Sequence, residues 1–192
     1  MERGKKVLDI TIAGQAAPAG SKTADPVMRK GPLGPEPVLD QRGRPVVRQR
    51  HANKNTRPWM DRVAGEARVA WGRQPLLDGA VWIEILCLEP RPSSHYRTGK
   101  FSHLLKPGAP AYPHRTSTGD SDKLRRAVQD ALSGVVWVDD KLVVSGGDAK
   151  DYGEHACCII QVGLMVEQTA ADRGLAEIPQ INPVGQETLI AA

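Results

Sequence analysis

Four aspartates are the residues of this chain best suited to do chemistry. Asp120 and Asp122 are separated by one serine, and Asp139 and Asp140 are adjacent. Carboxylates gathered at one site repel one another, and each raises its neighbour's pKa unless a cation neutralises them. An all-oxygen donor set suits a hard divalent ion such as Mg²⁺ or Mn²⁺. Such an ion can activate a water and clamp the oxygens of a phosphodiester. Each aspartate taken singly also has a plainer use. Asp122 is a good N-cap, Asp120 complements the positive end of a helix, and Asp139-Asp140 makes an ordinary turn.

Whether the four form one site depends on the elements between them. Leu124, Ala127, Val128, Ala131 and Leu132 recur at helical spacing, so residues 122–133 read as a helix that Gly134 ends. A helix of that length runs about 18 Å. The six residues 133–138 can span up to about 20 Å. The chain is therefore long enough to return Asp139 and Asp140 beside Asp120 and Asp122.

The remaining periodicity sets the frame. Residues 7–13 alternate and predict a strand. Thr56 can cap a second helix with Pro58 in its first turn, Gly72 as its stop, and Trp59, Val63, Ala67 and Ala70 on one face. Residues 80–88 are a nearly continuous apolar run, which suits a strand covered on both faces and ended by Pro90 and Pro92. A further strand begins at Lys141 to Val144, and residues 155–166 make the last. The order β-α-β-α-β-β predicts an α/β (α+β) domain with a small mixed sheet and two main helices. Trp59, Trp71 and Trp82 read as core, because a chain with one Phe has little other aromatic volume.

Two long segments carry no clear periodicity and read as loops, residues 14–55 and 91–119. Residues 28–57 hold eight bases against Glu36 and Asp40, and residues 91–115 hold five bases and no acid. Each is either a solvated loop or a phosphate-binding arm. In the second reading Arg42, Arg44, Arg48, Arg50 and Lys54 contact DNA from the first loop, and Arg97, Lys100 and Lys106 from the second. His95, His103 and His114 lack a metal-ligand pattern and read as facing solvent or DNA. The formal charge of +4 understates this basic character, because the tail 167–192 holds four acids and one base. That tail reads as flexible, outside a single domain of residues 1–166.

Asp120-x-Asp122-x-Leu124, then Asp130-Ala131-Leu132, then Trp137-x-Asp139-Asp140, resembles the signature of the RusA family of Holliday-junction resolvases. The family pattern is Asp-x-Asp-Asn-Leu, a basic residue, Asp-Ala-Leu and an Asp-Asp pair opening a strand. The close motif covers about 30 residues and the broader likeness residues 7–166. The resemblance implies a homodimeric, Mg²⁺-dependent endonuclease that cuts four-way DNA junctions in recombination and repair. It implies that Asp120, Asp122 and Asp140 hold the metal, with Mn²⁺ as an alternative, and that Asp139 supports them. The family's essential Lys falls on Arg126, which keeps the charge but not the geometry, and its Asn falls on Lys123. Lys123 and Lys150 are further candidates for DNA contact, Lys150 equally a surface lysine. A junction has two-fold symmetry, so a two-fold dimer with one metal site per strand is the natural arrangement. Two other readings stay open: a branched-DNA-binding protein of the same fold that has lost turnover, and a nuclease of flaps.

Other classes find little support. No window is apolar enough for a membrane span, and no apolar stretch follows the basic N-terminus as in a secretory signal. Cys87, Cys157 and Cys158 are an odd count that fits a reducing cytoplasm, and the family resemblance implies that of a bacterium or a phage-infected host. Cys157 and Cys158 would point to opposite faces of one strand, which argues against zinc. No Gly-Lys-Ser/Thr phosphate loop is present, so no nucleotide cofactor is expected.

Overall fold

The computed structural model describes residues 2–20, 22–114, 119–167, 172, 180–181 and 187–188. Its centre is a four-stranded mixed sheet in the order β1-β8-β6-β7, with β1 Arg3–Ala13, β6 Val81–Pro90, β7 Val143–Gly153 and β8 Cys157–Met165. β8 runs antiparallel to both β1 and β6, while β6 and β7 are parallel. A parallel pair needs a crossover, and helix α2, Ser121–Leu132, provides it. Helix α1, Thr56–Trp71, precedes β6. The order β-α-β-α-β-β thus holds for the central domain.

One face of the sheet carries the core. Leu8, Ile10 and Ile12 of β1, Ile83, Ile85 and Cys87 of β6, and Cys158, Ile160 and Val162 of β8 are buried with the apolar faces of both helices. Cys87 and Cys158 meet across the strands at 3.6 Å, and Cys157 lies on the other face, half-buried. α2 buries the five apolar residues that its spacing predicts. On α1 the buried stripe is Trp59, Val63, Ala64, Ala67 and Trp71, and Ala70 is exposed. The stripe follows steps of four, so it reaches Trp71 rather than its neighbour. Trp59, Trp71 and Trp82 are all buried, as expected of core tryptophans.

The second face is only partly covered, which corrects the expectation for residues 80–88. Val81, Trp82 and Ile83 are buried in succession, but Glu84, Leu86 and Leu88 are half-buried. Among the described residues no helix packs there. Instead Arg3 sits 5.4 Å over the Trp82 ring and pairs with Glu84 at 2.5 Å. A Cβ on Gly163 would come within 2.4 Å of that indole, so the glycine makes room for it.

The larger correction concerns residues 14–55. The segment is not an irregular loop. β2 (Lys22–Pro26) pairs antiparallel with β5 (Val47–His51), and between them β3 (Met28–Gly31) pairs with β4 (Gly34–Pro37). The result is a ribbon with most side chains exposed and none buried. Both faces are wet, so no apolar alternation marks the strands in sequence. Two strands have only edges, which tolerate Pro26, Pro35 and Pro37. Ion pairs across the ribbon, Asp25–Arg50 at 2.5 Å and Arg29–Glu36 at 3.1 Å, accompany the backbone ladder.

Residues 14–20 form a short strap between β1 and the ribbon. Gly14 N–H donates to Ala156 O at one end, and Ala19 N–H donates to Lys123 O on α2 at the other. Thr56 is fully buried and its hydroxyl donates to Pro18 O at 2.7 Å. Thr56 is therefore not the cap of α1. That position is Asn55, whose N–H is received by the Asn53 side chain at 2.9 Å. Of the tail, a two-residue pair joins Gln180–Ile181 to Glu187–Thr188, and the expectation of a flexible segment otherwise lies outside the described residues.

Candidate active site

Asp120 is the N-cap of α2, with extended backbone and its carbonyl receiving Leu124 N–H at 3.0 Å. Its carboxylate does not cap the helix. It receives Lys123 Nζ at 2.5 Å instead. That ammonium holds the Asp120 carboxyl below the usual carboxylate range, and Asp120 in turn pushes the lysine up. Asp122 lies in the first turn of α2, so both carboxylates sit at the positive end of the helix and both are exposed.

This end of α2 is anchored from two directions. Gly119 has φ +72°, and a Cβ there would come 3.0 Å from the Pro18 ring, so glycine lets the strap lie against it. Lys150, at the far part of β7, donates from Nζ to Gly119 O at 2.9 Å. Lys150 is therefore half-buried and built into the site, not a plain surface lysine. Its charge also helps to lower the Asp120 pKa. Arg125, which the sequence pattern leaves unremarked beside Arg126, donates to Gly146 O at 3.4 Å and approaches Asp148 at 3.8 Å. Arg126 is exposed, with no hydrogen bond or ion pair among the described residues.

Asp139 and Asp140 lie elsewhere. The segment after α2 turns tightly rather than stretching back. Val136 N–H bonds Leu132 O, Gly134 N–H bonds Trp137 O, and the buried Trp137 indole N–H bonds the Ser133 hydroxyl at 3.1 Å. Leu77 then pairs on either side, with Val136 O and Val138 N. Asp139 opens the 3-10 turn Asp140–Leu142 and its side chain receives Lys141 N–H at 3.0 Å, which lowers its pKa. That turn leads into β7 at Val143, and β7 runs back along α2, past Arg125 at Gly146 and Asp148, to Gly119 at Lys150. Val143 to Lys150 is about 23 Å of strand. One chain thus holds its two aspartate pairs at opposite ends of α2. The expected return of Asp139 and Asp140 to Asp120 and Asp122 does not occur within it. Among the described residues, no group of three His, Cys, Asp or Glu side chains is placed to hold a metal ion.

The candidate DNA contacts are mostly exposed. Arg42, Arg44, Arg48, Arg50 and Lys54 lie on the ribbon or at its base. Arg44 is paired with Asp40 at 2.9 Å and Arg50 with Asp25. In the second basic segment Arg97 donates to Leu105 O at 3.3 Å, Lys106 to Ser94 O at 2.8 Å, and Lys100 lies 5.1 Å from the Phe101 ring centre. His95 is buried, edge-on to Tyr152 at 5.7 Å, so it faces neither solvent nor DNA. The aromatic neighbours that anchor this segment draw it onto the end of β7. Glu89 and Gln15, near the strap, also escape sequence reasoning, since neither belongs to a motif.

No helix among the described residues is long and apolar enough to cross a membrane. Residues 32–163 match the family model described as Endodeoxyribonuclease RusA. No curated protein matches the chain significantly.

Proposed function

We propose that this chain, which belongs to the RusA endodeoxyribonuclease family, resolves four-way DNA junctions as a metal-dependent homodimer. Internal cutting of DNA, with branched junctions as the general substrate, comes with the family. The metal, the stoichiometry and the residue roles are our reading. The observation behind it is the division of acids: two aspartate pairs at the two ends of one helix, exposed except for the half-buried Asp139, with basic ribbon and loop on the same chain.

The donors fit a hard cation in kind, since all are carboxylate oxygens. They do not fit it in number within one chain. A second copy related by a two-fold axis supplies what is missing, with Asp120 and Asp122 of one copy meeting Asp140 of the other. Mg²⁺ or Mn²⁺ bound there would supply Lewis acidity to a phosphodiester and to its attacking water. Asp139 fixes the turn that presents Asp140. Lys150 holds the loop that presents Asp120. Arg126, exposed and one turn into α2, steadies a non-bridging phosphate oxygen. Ribbon and loop track the backbone of the duplex arms. The reading places the protein with DNA in the cytoplasm of a bacterium or phage-infected host.

The test is cleavage of a four-way junction over a series of divalent ions. Asp140→Asn lowers the rate by about 10²–10³-fold and leaves junction binding in place. Mixing Asp120→Asn with Asp140→Asn restores cutting, because a mixed dimer rebuilds one intact site. Absence of cutting by wild type in every ion overturns the reading. The Lys123–Asp120 pair favours a second one, in which an internal cation replaces the metal and the protein binds junctions without cutting. Calorimetry then separates the two: under the first reading wild type itself binds Mn²⁺ and Lys123→Asn tightens that binding, and under the second wild type binds none and only Lys123→Asn does.

A further inference from the structure

Beside the acid end of α2 lies a cleft of about 500 Å³ that no step above uses. The strap, the N-terminus of α1 and the end of β6 enclose it, and Gln15, Asn53, Asn55, Pro58, Trp59 and Glu89 are on its walls. Pro18 is a shared partition: it lines the cleft on one side and abuts Gly119, next to Asp120, on the other. Lys150 links the two as well, since its charge acts on both Glu89 and Asp120.

The lining says what chemistry fits. The volume is within the range of small-molecule sites, roughly 300–1,000 Å³. Trp59 is 3% exposed, and its indole N–H has no hydrogen-bond partner among the described residues. That nitrogen has no accessible surface, so Trp59 meets the cleft with its apolar ring. Three side-chain amides offer donors and acceptors in equal supply. Glu89 is half-buried with Gln15 beside it, and burial pushes its carboxyl up. Arg62 lines the cleft as well, its Nη1 donating to Ala13 O at 2.8 Å, so one carboxylate and one guanidinium leave the wall without the net positive charge that would draw a phosphate. Neutral, flat and polar-edged is the description of a heterocycle.

We infer that this cleft receives one unstacked nucleobase of the cleaved strand, next to the scissile phosphate, and that Glu89 reads it by accepting a hydrogen bond from an exocyclic amino group. The inference rests on the junction-cutting reading above. A base in continuous duplex cannot reach the cleft, whereas one at a crossover has already lost part of its stacking. Acceptance by a carboxylate is the recognised way to read such an amino group. Selectivity for the base flanking the cut then belongs to Glu89, and the metal-binding acids have no part in it.

The experiment uses the full chain and junctions that vary only in the nucleotide beside the cut, with 2-aminopurine there in one version. Binding is followed without divalent ion, and cleavage with Mg²⁺. A rise in 2-aminopurine fluorescence on binding, with amino-bearing bases cut about tenfold faster than thymine, supports the inference when Glu89→Leu, which removes the acceptor, flattens that preference. Gln15→Ala, which removes the neighbour of Glu89, provides a second variant and is expected to weaken the preference. Junction binding with no fluorescence rise, or a preference that both variants keep, overturns the inference and leaves the junction reading standing. Failure to prefer a junction over linear duplex overturns both.

Discussion

The ribbon of residues 22–51 and the loop of residues 91–114 are both basic, yet they hold their charges in different ways. On the ribbon, arginines face carboxylates: Arg29 pairs with Glu36, Arg44 with Asp40, and Arg50 with Asp25. In the loop, Arg91 donates to Pro110 O at 2.6 Å and to Ala111 O, Arg97 to Leu105 O, and Lys106 to Ser94 O. A carbonyl satisfies a donor without cancelling its charge. The loop therefore uses its cations as internal struts and still presents the full field outward. The ribbon presents a field from which three carboxylates are subtracted. Number of bases alone is a poor guide to which region draws DNA.

The largest expected effect is on the loop's own structure. Arg91 also stacks 3.9 Å over the Tyr152 ring, so Arg91→Ala removes two carbonyl bonds and a cation–π contact at once. We expect a loss of about 1–3 kcal/mol, read by thermal unfolding, with faster proteolysis confined to residues 92–114. Arg44→Ala, at an exposed ion pair, moves stability far less. Equal losses would break the contrast.

The next effect is on DNA binding. Lys100→Ala reduces the slope of log affinity against log salt by about 1. Asp25→Asn does the reverse: it frees Arg50, so binding tightens and the slope steepens. An Asp25→Asn protein that binds no better would show that the ribbon's pairs already open on DNA.

The smallest effect is a pH dependence confined to the ribbon. The Asp40 carboxylate receives the N–H groups of Arg44 and Arg42 at 2.9 and 2.8 Å, with the Arg44 guanidinium beside it, and these hold its pKa below the usual range. Unfolded, it titrates at about 3.9. Stability from this turn is thus complete above that value and is lost as pH falls through the lower folded value. Amide protection at Arg42 and Arg44 drops in that window. Lys106, whose N–H bonds His95 O at 2.9 Å, shows no such step.

The same contrast explains what the sequence reveals. Elements that bury one face announce themselves: Leu124, Ala127, Val128, Ala131 and Leu132 mark α2, and the Asp120 and Asp122 spacing marks its start. The ribbon has no buried face, so its strands leave no periodic trace, and cross-strand pairs such as Asp25 with Arg50 are visible only after folding. The site is half legible for a related reason. Length allows Asp139 to return to Asp120, but hydrogen bonds of Ser133, Gly134 and Trp137 decide the turn, and length does not encode them. Lys150 and Glu89 reach the acid end through register in the sheet, where Cys87 pairs with Lys150.

The strap has a mechanical consequence. One strand of the ribbon leaves from residues 14–20, which are bonded through Ala19 to Lys123 and through Pro18 to Thr56. The other strand runs through Asn55 directly into α1. Both roots of the ribbon are thus tied to the helix ends around Asp120, and its reach into solvent makes it a lever with its fulcrum beside the carboxylates. Torque applied at the tip arrives at the end of α2 that bears Asp120 and Asp122.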